Sequence, residues 1–179
     1  MNELRLIFVG GLMLVTSILT AAQTAADAKA TIEKFYKFHR ARSGIISTHE
    51  LNLRKPWLTP ELIRLFRYEL TREDAFVKKN PDEKPYFGDG FPFQPYEECV
   101  VDEKIILNRL EIGEVKIEKA KAVVEIRFFI PPECEKQTAE KLLETYKIEL
   151  LKTGSRWLIN DWLYADGKRL TEILKRKKY

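Results

Sequence analysis

Residues 110–130 read LEIGEVKIEKAKAVVEIRFFI, two runs of period two joined by a polar turn. Leu110, Ile112, Val115 and Ile117 alternate with Glu111, Glu114, Lys116 and Glu118, and Gly113 interrupts the alternation once. Val123 to Ile130 forms the return run, and Glu118 to Lys121 can turn between them, so the stretch predicts an antiparallel hairpin half-buried on one face. Pro131-Pro132 ends the second strand, because proline lacks the donor that a ladder needs. Downstream, Glu144 to Leu151 and Trp157 to Tyr164 flank Thr153-Gly154-Ser155, which predicts a second hairpin. Residues 168–177, with Leu170, Ile173 and Leu174 on one side, predict a short terminal helix.

Upstream the period changes to that of a helix. From 25 to 41, Ala28, Ile32, Phe35, Tyr36 and His39 recur at three- and four-residue intervals with Lys29, Glu33, Lys37 and Arg40 between them. Ser43-Gly44 ends this segment, and a loop is expected through Lys55-Pro56. Thr59-Pro60-Glu61 then writes a helix start, with Thr59 as the N-cap, proline at the first position and an acid near the positive end. Leu62, Ile63, Phe66 and Leu70 face inward on this helix, expected to reach about Lys78. Helices first and antiparallel strands later predict an α+β domain with a sheet covered on one face.

Between Asn80 and Glu97 no period survives. Pro81, Pro85, Pro92, Pro95, Gly88 and Gly90 break regular structure, while Tyr86, Phe87, Phe91, Phe93 and Tyr96 make the stretch too apolar to hang in water. It is expected to pack as a structured loop over a sheet or a pocket.

At the N-terminus, Arg5, an apolar run from Leu6 to Leu19 and the small residues Thr20-Ala21-Ala22 have the order of a cleavable secretory signal, with cleavage after Ala22. The competing reading is an uncleaved anchor, although the run is short for a bilayer crossing of about 20 residues. Removing 22 of the 179 residues leaves 157, the size of one domain, residues 23–179. No cysteine stands near the cleavage site, so the exported chain is expected to be free, periplasmic or secreted. Cys99 and Cys134 can form a disulfide in an oxidising compartment or remain buried thiols. The formal charge of +4 is far from the loading of a nucleic-acid binder. Its bases pool at Lys168, Arg169, Lys175, Arg176, Lys177 and Lys178, where contact with an anionic membrane surface competes with the ordinary placement of lysines at a helix end.

Phe35-Tyr36-Lys37-Phe38-His39, Trp57-Leu58-Thr59-Pro60-Glu61-Leu62, Asp89-Gly90-Phe91 with Gln94, and the ending Trp157-Leu158-Ile159-Asn160-Asp161-Trp162-Leu163-Tyr164 occur in an order that resembles the DUF3828 family of bacterial envelope proteins, within the NTF2-like superfamily. The resemblance spans roughly residues 29–175. It departs at His39, where an aromatic is usual, and at Gly90, where proline is usual. It implies a cone-like fold in which a curved antiparallel sheet wraps the helices around an apolar interior, and it names no activity.

The residues write no familiar reaction centre. His39 and His49 are the only histidines, and Leu53 stands where an H-E-x-x-H helix needs its second histidine, so neither a metal nor a cofactor is expected. Asp82, Glu83 and Asp89 lack the spacing of a calcium loop. In an apolar cone a carboxylate or tyrosine could act as acid or base, which singles out Asp161 and Tyr164 as pocket candidates. Strand parity puts Asp161 with Trp157 and Ile159, against Leu158, Trp162 and Tyr164, and leaves open which set faces inward. The loop residues Tyr86, Asp89, Phe91, Phe93 and Gln94 are the candidates for a ligand or partner. The leading expectation is an exported, non-catalytic accessory protein that binds another envelope component through the 80–97 loop and the adjoining sheet. The alternative is an NTF2-like binder of a small apolar molecule, or an isomerase-type enzyme with an apolar pocket. Flat apolar ligands such as sugars would suit the rings in either case.

Overall fold

The computed structural model describes residues 24–42, 46–88, 90–95, 98–101, 103–135 and 139–176. The expected signal segment therefore lies outside the described residues. Among the described residues no helix is long and apolar enough to cross a membrane.

Helix α1 covers residues 24–40, and the stripe Ala28, Ile32, Phe35, Tyr36 and His39 is buried along its whole length. The expected loop that follows contains a helix instead, α2 (Thr48–Arg54), extended by a 3-10 turn at Lys55–Trp57. Ser47 caps α2 by accepting from the Glu50 N–H at 3.1 Å. Thr59 caps α3 (Pro60–Lys79) through the Leu62 N–H, which leaves one fewer bare donor at the helix start. The inward face of α3 carries Leu62, Leu65 and Phe66, and also two buried acids, Glu69 and Glu73.

A hairpin of β1 (Glu98–Val101) and β2 (Lys104–Leu107), absent from the expectations above, forms a separate two-stranded sheet. The main sheet has the order β3-β4-β5-β6, built from β3 (Arg109–Glu118), β4 (Lys121–Ile130), β5 (Lys141–Thr153) and β6 (Arg156–Leu163), all antiparallel. The one-turn helix α4 (Pro132–Glu135) follows β4, and α5 (Leu170–Leu174), shorter than expected, closes the chain. The architecture is α+β, with N-terminal helices on a four-stranded sheet and a short C-terminal helix.

Every second residue of β4, from Ala122 to Ile130, is buried, and so are Tyr146, Ile148 and Leu150 of β5. These meet Phe35, Tyr36 and Phe66 from the helices. Gly154 takes φ +61° at the first central position of the β5–β6 turn, where a left-handed residue matches the twist of the two strands. The β6 edge is closed: Leu58 bridges Ile159 in parallel, the Thr59 N–H donates to the Ile159 carbonyl at 2.9 Å, and Arg169 bridges Leu163. On the opposite edge, among the described residues no strand pairs with the outer side of β3.

Cys99 and Cys134 are bridged, with α-carbons 5.5 Å apart. The β3–β4 register carried past Arg109↔Phe129 would put Cys134 level with Lys104. Lys104 pairs with Val101 in the β1–β2 hairpin, and this reversal brings Cys99 back to pair with Ile106, within two residues of that level. The chain bend between 101 and 104 is thus what makes the bridge geometrically possible.

Candidate functional site

The rings of the 80–97 loop divide between core and surface. Phe93 is fully buried and Phe91 nearly so. They stack on each other at 5.1 Å, Phe93 stacks on Trp162 at 4.5 Å, and both present edges to Phe66. The Tyr36 hydroxyl, kept protonated by burial, donates to the Phe93 carbonyl and accepts from Trp162 Nε1 at 3.1 Å. Phe91 and Phe93, expected as ligand or partner contacts, spend their faces on the interior, because the loop packs between α1, α3 and the inner face of β6. Gln94 is half-buried, and its Oε1 is enclosed without a hydrogen-bond partner. Asp89 lies outside the described residues. Among the described candidates Tyr86 alone is open to solvent, at 54% exposure, with the Arg176 guanidinium 4.0 Å above its ring.

Asp161 is buried but does not line the apolar interior. A bulge between Ile159 and Asp161 shifts the register, so that Asp161 pairs with Glu149 on the face away from the N-terminal helices. There it accepts from Arg169 Nε at 2.8 Å, the Thr171 N–H at 3.0 Å and Thr171 Oγ1 at 2.7 Å. Its carboxylate therefore anchors the start of α5. Tyr164 donates to the Pro92 carbonyl at 2.8 Å and ties the loop to the strand, and burial raises its pKa. The two residues proposed as one pocket thus serve two different joints.

An interior polar cluster escaped the sequence reading. Arg54, with no exposed surface, reaches back from α2 to place Nη2 at 3.0 Å from His39 Nδ1, while its Nη1 contacts Glu50 Oε2 at 2.6 Å. Its guanidinium lies 4.4 Å over the Phe91 ring. Burial first, and then the Arg54 and Arg40 charges, lower the His39 pKa to about 3. The ring is neutral, with Nδ1 occupied as an acceptor and one face stacked on Phe35 at 5.8 Å. Hydrogen bonds from Arg42 and Arg54 lower the Glu50 carboxyl to about 2. Ser47 followed three residues later by Glu50 is the capping-box spacing that could have revealed α2, and with it this cluster.

Much of the expected basic tail is neutralised within the fold. Lys168 pairs with Asp166 at 2.7 Å, Arg169 with Asp161 and Glu149, and Arg176 with the buried Glu69. Lys177 and Lys178 lie outside the described residues. Pooling of bases in the sequence thus overstates the charge offered to a membrane surface, since their acidic partners come from α3, β5, β6 and the turn after β6.

Hollows mark the surface among the described residues. One, an open groove of about 730 Å³, runs between α1 and β3 and is lined by Lys29, Glu33, Lys37 and Arg40 on the helix and by Leu110 and Ile112 on the strand. A polar cleft of about 320 Å³ lies between the start of α1 and the β5–β6 turn, with Asp27, Lys34, Trp57 and Arg156 in its wall. A smaller hollow of about 200 Å³ sits among Glu114, Lys116, Val123, Glu125 and Lys147 on the outer sheet face. None of the three is lined by Phe91, Phe93, Asp161 or Tyr164. Among the described residues no three His, Cys, Asp or Glu side chains converge as metal ligands. No family model, no curated protein and no solved structure matches the chain.

Proposed function

We propose that the chain is an exported accessory protein that binds another component of the cell envelope without transforming it. The observation that carries this reading is the contrast between interior and surface. The space between helices and sheet is filled by packed rings, from Phe35 and Phe66 through Phe91 and Phe93 to Trp162, while an open groove of about 730 Å³ lies on the surface between α1 and β3. An open groove suits a macromolecular surface or segment, whereas a small apolar ligand is ordinarily enclosed. The Cys99–Cys134 bridge supports an oxidising compartment. The motif order that resembles DUF3828 envelope proteins of the NTF2-like superfamily points the same way.

The contact surface in this reading comprises the exposed rim of the 80–97 loop at Tyr86 and the adjoining edge of the sheet. Phe91 and Phe93 test it poorly, since truncating them would damage the core. Tyr86→Ala is the informative variant. In affinity capture from envelope extract, wild type should retain a species that Tyr86→Ala loses while both proteins stay folded. Fractionation should place a chain beginning near Gln23 outside the cytoplasm. Full-length protein confined to the cytosol would overturn the export reading.

A further inference from the structure

We infer that the groove between α1 and β3 takes an extended acidic peptide segment that adds as a fifth strand to the sheet. The inference rests on the accessory-protein reading and names the partner chemistry for this part of its surface. An antiparallel edge strand turns alternate N–H and C=O groups away from its neighbour, and among the described residues no strand meets those of β3. The far half of β3 is guarded. A bulge between Ile112 and Val115 breaks the ladder, and beyond it Glu114, Lys116 and Glu118 are exposed charges that discourage pairing. The near half, Leu110 to Ile112, forms the wall of the groove.

The opposite wall is one face of α1 running from Lys29 to Arg40, about 17 Å of helix. That length accommodates about five residues of extended chain at ~3.4 Å each. Side chains on the inner face of an added strand would meet Leu110 and Ile112, which are half-buried, and the helix charges above them. Those charges set the preference. Glu111 is engaged by Arg127 at 2.9 Å and by Arg109, whereas Lys29, Glu33 and Lys37 make no ion pair among the described residues. Among the described residues Arg40 bonds only the neutral Asn108, through its carbonyl and its Oδ1 at 3.4 Å, and its Nε is enclosed without a hydrogen-bond partner. Three cations therefore face one uncompensated acid. A strand with acidic and apolar side chains on its inner positions satisfies both walls, with main-chain bonds for affinity and the helix face for selectivity.

The probe is the labelled peptide acetyl-TETVTET-amide, which puts acid, valine and acid on one face, followed by fluorescence anisotropy with the purified protein. Saturable binding should weaken by about tenfold in Lys29→Glu/Lys37→Glu, whose substituted side chains make no ion pair and whose fold is checked by circular dichroism. Binding should also weaken as salt rises from about 0.05 to about 0.5 M. Two further peptides carry N-methyl groups on the odd or on the even amides, and one of them should lose binding because its methyls block the edge facing β3. No saturable binding, equal binding by both methylated peptides and the parent, or indifference to the double charge reversal would each overturn the inference. An envelope species lost by Tyr86→Ala but kept by Lys29→Glu/Lys37→Glu, together with a silent peptide, would sink the groove and leave the accessory reading standing.

Discussion

Ile159 and Trp162 lie on the same face of β6 although they are three positions apart. Ile159 pairs with Leu150 and Trp162 with Ile148, and these β5 residues, two apart, both point to the core. The extra residue between Ile159 and Asp161 makes the difference, since a bulge resets the two-residue period. It brings both aromatic sets of the strand inward and turns Asp161 out toward Glu149. Deleting Asn160 would remove the bulge and leave Ile159, Asp161 and Trp162 in strict in-out-in alternation against Leu150, Glu149 and Ile148, so Trp162 should stay in the core. The expected result is a retained cooperative thermal transition and retained near-ultraviolet ellipticity. Asn160→Ala keeps the bulge and removes the bond to Glu149 at 3.0 Å, so it should cost only about 1 kcal/mol. A deletion variant that no longer unfolds cooperatively would refute this account of the strand.

Truncation should separate the loop's core from its surface. Phe93→Ala opens a cavity among Phe35, Phe66, Phe91 and Trp162 and should cost about 3–5 kcal/mol in urea denaturation. Tyr86→Ala removes a half-exposed ring over Arg176 and should cost about 1 kcal/mol or less. A Phe93→Ala protein as stable as wild type would return that ring to the candidates for ligand contact.

The elements that were legible from the residues are those whose side chains repeat. α1, α3 and the four long strands have a face to bury, and period reveals a face. α2 has seven residues and little apolar pattern, so only its Ser47 and Glu50 caps mark it. The β1–β2 hairpin is too short to display alternation. Composition showed that the loop rings must be covered, but which ring faces the core depends on Trp162, Phe66 and Tyr36, far away in the chain. The same distance hides the partners of Arg54, Arg169 and Arg176. Buried charges look like surface charges until the acids and rings beside them are known.

Reduction of the Cys99–Cys134 bridge should release a closed loop with a sequence separation of 35 residues, a loss of about 4 kcal/mol in the chain-entropy description. The urea midpoint should fall in reductant and be insensitive to it in Cys99→Ser/Cys134→Ser. Alkylation of the denatured protein without reductant should add no mass. Two labelled thiols would mean that the isolated protein lacks the bridge.

Asp161→Ala should loosen α5 selectively. The substitution leaves Arg169 without one of its two acids and bares the Thr171 N–H. Breaking such a partly buried charge pair costs on the order of 3 kcal/mol. Hydrogen exchange should accelerate in residues 170–174 before it does in β4 or β5. Uniform acceleration across the sheet would show that Asp161 supports the whole fold rather than this joint.

Acid should weaken the fold first through His39. Its pKa is lowered to about 3 by burial and by Arg54 and Arg40, with Glu50 opposing, while an unfolded histidine titrates near ~6.5. Between these values the unfolded chain holds a proton that the folded chain refuses, so stability falls as pH drops, by about 1.4 kcal/mol per unit. Glu50, lowered to about 2 by its bonds to Arg42 and Arg54, adds a loss in the same sense only below the ordinary carboxylate range near ~4.5. Glu73, raised by burial, works in the opposite sense as it takes up its proton. A comparison of wild type with His39→Gln isolates the histidine, because Glu50 and Glu73 are common to both and glutamine still offers Arg54 an acceptor. Urea midpoints measured from pH 7 to 4.5 should converge, with wild type the more stable at neutral pH and losing about 2–3 kcal/mol more than the variant over the interval. Parallel curves would mean that His39 takes up its proton in the folded protein near its ordinary pKa, and that the Arg54 contact does not hold it neutral.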